Sequence, residues 1–298
     1  SIPPNKRGIG FAATIAIPSA FGIAAPYIGG WLIEKFGISD AMHGLYFVSF
    51  FIASGIAFFR LRSLKETIDN PKKLDFRLSK IPNLISESYK SLFGVLKEIP
   101  RKLYTLSLIV SACVFFASLA SSFWLVRAVE VIEMKETQWG SVMLVSGIVS
   151  VILGIPAGSI VDRYSKKWIA GICLLLGSIQ SYLYLQCTTY RHVLILAAFS
   201  SITNSFMNPA FSSLFADMTP RKIRGRVLSS IGGGGIWLMR GAYGSGVWGM
   251  SMQTAGTCLS GYLYKFNNSY GWGVLSAAFL FFGTLFIIMV KEPEIAEI

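Results

Sequence analysis

Apolar runs of membrane-span length recur along this chain, parted by polar turns, and no other feature constrains its fold as much. VSGIVSVILGIPA and WIAGICLLLG, for example, are separated only by GSIVDRYSKK. A bilayer's hydrocarbon core is about 30 Å thick, and a helix needs roughly 20 mostly apolar residues to cross it. Eight stretches qualify, at roughly 9–32, 41–61, 103–127, 138–160, 168–188, 192–216, 241–264 and 271–290. The expected fold class is an all-α polytopic membrane bundle. Only 14% of the residues are charged, against about 25% in ordinary soluble domains. On that background the net charge of +12 reads as membrane topology signals rather than a nucleic-acid surface.

The basic residues set the orientation. If the ends of the chain and alternate loops lie inside, 22 of the 27 Lys and Arg fall on the inner side and five (Lys35, Arg127, Lys135, Arg191, Lys265) on the outer. This positive-inside bias supports the span count and predicts cytoplasmic termini for this chain in a cell membrane. Eleven of the inner residues lie between Arg60 and Lys102. Within that stretch Ile85, Tyr89, Leu92, Phe93 and Leu96 share one helical face. Such a helix could lie in the headgroup layer or serve as a solvated linker.

No metal site or disulfide framework is expected. Cys113, Cys173, Cys187 and Cys258 lie in or beside apolar runs without CxxC spacing and read as small buried hydrophobes. His43 and His192 are far apart beside outer loops. The opening SIPPNKRG is polar and proline-rich, unlike a signal peptide, and reads as the middle of a loop. Asn267 begins one sequon in an outer loop. No cofactor is implied.

Two segments repeat. IPPNKRGIGF…PYIGGWLIEKFG leads into a span ending FFRLRSLKE, and MTPRKIRGRVL…LSGYLYKFNNSYGW into one ending IIMVKEP. Repeats of this kind mark many transporters. The match pairs Arg7-Gly8 with Arg224-Gly225, but Gly225 lies too far from Gly261 for one span. Either residues 228–241 form an extra inner segment or Arg240-Gly241 is the true partner.

These residues resemble a known family. GSIVDRYSKK is similar to the major facilitator superfamily signature G-x-L-a-D-r-x-G-r-k. Gly158, Asp162, Arg163, Lys166 and Lys167 match, while Ile160 replaces Leu and Ser165 the second Gly. The resemblance implies a twelve-helix fold in two halves. Residues 1–61 would be the last two helices of the first half, 62–102 the cytoplasmic linker, and 103–298 the complete second half. The eight spans would then be helices 5–12, with the first four absent because the chain is a fragment or the gene is truncated. Pro26, Gly29 and Gly30 echo the end of the family's antiporter signature, although Ala12, Phe21 and Ala25 depart from its earlier glycines. Helix packing explains the same residues.

The resemblance assigns roles. Asp162 would dock on the chain near Lys6, Arg7, Gly8 and Ile9 and so hold one transport state, or it would pair only within its own loop. Arg163 and Lys167 would meet carboxylates or lipid phosphates. Arg7, Gly8, Arg224 and Gly225 would form the contact between halves. Asn204 and Asn208 (beside Pro209), Gln180, Gln253 and Arg127 are the substrate-binding candidates, with helix-to-helix bonding the alternative for the amides. Arg127 and Glu130 could instead neutralise each other. The implied function is secondary transport of a small solute by alternating access, with proton-coupled export as one form. A full-length protein would be a monomer in the bilayer. A catalytic constellation at lipid depth is not visible, which argues against an enzyme. The alternative function is a truncated, non-transporting membrane partner or sensor derived from a transporter.

Overall fold

The structure, a computed structural model, describes residues 6–63, 86, 94, 99, 101–220, 223–231, 236–237, 241–242 and 246–292. Nearly all of the basic linker with its expected amphipathic helix lies outside these residues, as do Gly232–Gly235 and Arg240.

The chain is helical, with eleven described α-helices: α1 (Arg7–Gly22), α2 (Ala25–Phe36), α3 (Ile38–Ser63), α4 (Arg101–Ser121), α5 (Trp124–Glu130), α6 (Glu136–Arg163), α7 (Lys166–Gln186), α8 (Tyr190–Met218), α9 (Arg224–Ser230), α10 (Gly246–Phe266) and α11 (Tyr270–Met289). The described strands are the two-residue pair β1 (Ile236–Trp237) and β2 (Gly241–Ala242), antiparallel with Ile236 opposite Ala242. The long stretch from Gly225 to Gly261 is therefore not one helix, since α9 ends at Ser230 and the ladder follows.

Among the described residues seven spans, against the expected eight, are long and apolar enough to cross a membrane, counting α1–α2 and α4–α5 as one each. The remaining helix, α10, has the length, at 21 residues. Its Gly, Ser, Thr and Gln residues lower its hydropathy below that of the others. The first and third expected spans are each broken. Pro26 stands in the first turn of α2, where its missing N–H interrupts the ladder from α1 and its fixed φ suits a new helix start. The third breaks after Ser121, where the Phe123 N–H turns back to the Ala120 carbonyl. Between α2 and α3 the reversal takes one residue, Gly37, whose φ of 82° suits a residue without a Cβ.

The core lies among α4–α11. Phe211 of α8 packs edge-on against Phe286 of α11 with ring centroids 5.4 Å apart. Tyr184, Trp124 and Trp272 form a buried aromatic group at the other end. Helix α6 is the spine, with α1 and α2 on one side and α8 on another. Gly140, Gly147, Gly154 and Gly158 share the face of α6 that meets α1–α2. A Cβ on Gly154 would lie 2.7 Å from the Ala16 Cβ, and one on Gly140 2.7 Å from the Pro26 carbonyl. Small residues let membrane helices approach to this distance. Helix α3 packs on α2 and buries only Ala41. Its Phe47, Phe50, Phe58 and Phe59 are exposed, as suits a helix whose solvent is lipid.

Candidate functional site

Charged residues from four parts of the chain converge where α6 ends and α1 begins. Asp162 is in the last turn of α6, where its charge opposes that helix's own dipole. The neighbouring start of α1 reverses this cost. Asp162 Oδ1 accepts from the Gly8 N–H at 2.6 Å, and Oδ2 from the Ile9 N–H at 2.9 Å. Lys6, the residue preceding α1, makes no side-chain cap, and lysine has no acceptor to offer. A carboxylate from 154 residues away thus does the work of an N-cap. The approach requires glycine on both sides. A Cβ on Gly8 would lie 2.7 Å from Asp162 Oδ1, and one on Gly158 2.6 Å from the Ala12 Cβ.

Beside this contact is Asp217, in the last turn of α8 and 4% exposed. It accepts from Arg7 Nη1 at 2.5 Å and from Lys166 Nζ. A buried carboxylate is tolerable only when paired, and here two cations pair with it. Arg7 immediately precedes the Gly8 that Asp162 holds, so the two aspartates grip the same turn of α1 from α6 and α8. Glu292, beyond α11, extends the cluster. Its Oε2 accepts from Ser165 Oγ at 2.6 Å and its Oε1 from the Lys166 N–H at 2.9 Å, which satisfies the start of α7.

Asp217 and Glu292 were not among the sequence candidates. The signal for Asp217 was present in FADMTPRK, an acid at the inner end of an apolar run. Asp217 lies one residue past the expected span 192–216.

The other signature residues are less engaged. Arg163 is exposed, and Lys167 lies 5.9 Å from the Trp168 ring. Arg224 turns to the end of α8, donating from Nη2 to the Ala216 and Thr219 carbonyls at 2.8 and 2.9 Å. Gly225 has open space around it, unlike Gly8. Pro26 and Gly30 seat α2 on α6, and a Cβ on Gly30 would lie 2.6 Å from the Glu136 carbonyl. Gly29 has only Leu45 nearby, at 3.9 Å.

The substrate-binding candidates are dispersed. Asn204 lines a cavity of about 10 Å³ with Ser150, Ser205, Pro209 and Ala12 of α1. This is room for about one water. Asn208 donates back to the Asn204 carbonyl at 3.3 Å. Gln180 is fully buried and donates to Thr203 Oγ1 at 2.7 Å, joining α7 to α8. Gln253 is half-buried on α10. Arg127 does not pair with Glu130. It donates to the Leu185 carbonyl at 3.0 Å, at the negative end of α7, while Glu130 accepts from the Tyr264 hydroxyl. The Arg127 guanidinium also lies 5.9 Å from the Tyr184 ring.

Among the described residues no group of three or more His, Cys, Asp or Glu could hold a metal. Cys113, Cys173 and Cys187 are buried, and Cys258 is exposed, contrary to its expected burial.

The architecture and the cluster define a polytopic helical membrane protein whose charged signature turn is docked on a neighbouring helix start. Residues 128–237, which contain that turn, match the family model described as Major Facilitator Superfamily. Over those residues, about a third of its length, the chain is similar to that family. No curated protein matches it.

Proposed function

We propose that this chain moves a small solute across the cell membrane by alternating access, and that the Asp162 cluster latches one end of the bundle closed. The carrying observation is the grip of both Asp162 carboxylate oxygens on the Gly8 and Ile9 N–H groups. That contact joins α6 to α1, which the family resemblance assigns to different halves. Residues 1–61 then belong to one half and 103–298 to the other. The positive-inside bias puts the latch on the cytoplasmic side.

The magnitudes suit a latch. Each hydrogen bond to a charged group contributes about 1.5–3 kcal/mol. Moving a two-state equilibrium from 1:99 to 99:1 takes about 5.5 kcal/mol. Two such bonds can therefore hold a state without locking it. Opening that end means withdrawing Asp162 from the start of α1 while Asp217 gives up Arg7. The buried amides near Pro209, Asn204 and Asn208, remain the substrate-facing candidates in this reading, because they lie where α1, α6 and α8 meet.

The test is solute uptake by proteoliposomes containing the chain, using sugars, organic acids and cationic drugs with and without a proton gradient. Saturable uptake of one class is expected, at least tenfold slower in Asp162→Ala at equal amounts of folded protein. Uptake unchanged in that variant would remove the latch role, and no uptake of any class would favour the non-transporting alternative.

A further inference from the structure

The end of the bundle opposite Asp162 carries a groove that none of these contacts uses. It lies between the last turn of α7 and the first turns of α8, with a volume of about 380 Å³. Its lining includes Leu183, Gln186, His192, Ile195 and Phe199. The polar members, Gln186 and His192, are at the mouth, where α7 ends and α8 begins. The apolar members lie one to two turns deeper. Ile179 of α7 and Ile202 of α8, each a further helical step inward, are exposed on the same surface. From His192 to Ile202 is ten residues, or about 15 Å at 1.5 Å per residue. That is half of a hydrocarbon core about 30 Å thick, the depth of one leaflet.

The walls are apolar, the length is one leaflet, and the mouth is polar with the exposed cation Arg191 beside it. A groove with this gradient fits an amphipathic occupant lying along the membrane normal. We propose that it holds one acyl chain of an anionic phospholipid from that leaflet, with the phosphate at Arg191 and His192. None of the residues lining the groove lines the cavity at Asn204. Bulk lipid is as apolar as the groove walls, so the chain gains van der Waals contact there and selectivity comes from the charge-assisted contact of Arg191 with the phosphate.

The experiment reconstitutes the full chain in nanodiscs of phosphatidylcholine carrying a small fraction of phosphatidylglycerol with a photoreactive acyl chain. Crosslinked peptides are then mapped by mass spectrometry. Labelling of peptides spanning 179–202 is expected to exceed that of the lipid-exposed α3 at least fivefold. Ile195→Trp, which fills the groove from an exposed position, should reduce that labelling to the α3 level. Arg191→Glu should reduce it about threefold or more, and thermal unfolding should confirm that both variants are folded. Labelling no greater than on α3, or unchanged in Ile195→Trp, would overturn the site. Equal labelling by a phosphatidylcholine probe, or full displacement by a free fatty acid, would overturn the anionic phospholipid as its occupant.

Discussion

The carboxylate of Asp217 lies 2.5 Å from the guanidinium of Arg7, a residue 210 positions earlier in the chain. Both are almost fully buried. Through Lys166, the same carboxylate also reaches the signature turn. The contact therefore ties the start of α1, the end of α8 and the α6–α7 turn into one unit.

Removing one partner from a buried ion pair strands the other and typically costs about 3–5 kcal/mol. Asp217→Asn should be the most destabilising single change in the cluster, because it leaves Arg7 and Lys166 without their carboxylate. Thermal unfolding in detergent checks this. Lys166→Met should cost clearly less, since Arg7 still balances Asp217.

Asp162→Ala should open the end of the bundle more than it destabilises the fold. Ala12 is buried against Gly158 at the interface of α1 and α6. In a background lacking the native cysteines, a thiol at Ala12→Cys should react slowly with a membrane-impermeant maleimide. Adding Asp162→Ala should raise that rate at least tenfold, about 1.4 kcal/mol in the opening equilibrium. An unchanged rate would mean that the glycine packing, not the carboxylate, closes this end.

The repeat pairs Gly8 with Gly225, but the two glycines have opposite surroundings. A Cβ at Gly8 meets Asp162 and the Gly158 carbonyl at 2.7 Å, whereas one at Gly225 meets nothing within 4 Å. Gly8→Ala should destabilise by about 1–3 kcal/mol through overpacking. Gly225→Ala should be neutral or slightly stabilising, because it lies in a helix. The difference in melting temperature between the two variants reads this directly.

Gln180→Leu separates a packing role from a transport role. Gln180 is bonded to Thr203 inside the α7–α8 pair, and removing a buried partner costs about 1–3 kcal/mol. Lower thermal stability with an unchanged transport KM is the expected result. A raised KM at unchanged stability would return Gln180 to the solute pathway.

Spans and the signature turn were legible because each is local. Lipid demands about 20 apolar residues in a row, and the signature turn is ten consecutive residues. The breaks were only partly legible. Pro26 announces one through its missing N–H, whereas Ser121–Phe123 carries no comparable mark. The lower hydropathy of α10 is a matter of degree, since Gly, Ser, Thr and Gln are interspersed among its apolar residues. Arg127 and Glu130 are one turn apart, so a mutual pair was a reasonable local expectation. Each instead found a distant partner, a helix end for one and Tyr264 for the other.

The sequence by itself determined that this chain is a helical membrane protein with a charged turn between two spans, because composition and spacing answer directly to the solvent around each segment. Only the tertiary structure decided what that turn grips. Asp162 meets Gly8 and Ile9, Asp217 takes Arg7 and Lys166, and Glu292 reaches Ser165 across separations of 51 to 210 residues. Such pairs leave no periodic trace, since a carboxylate's partner depends on which helix ends the packing of α1, α6 and α8 brings within hydrogen-bond reach.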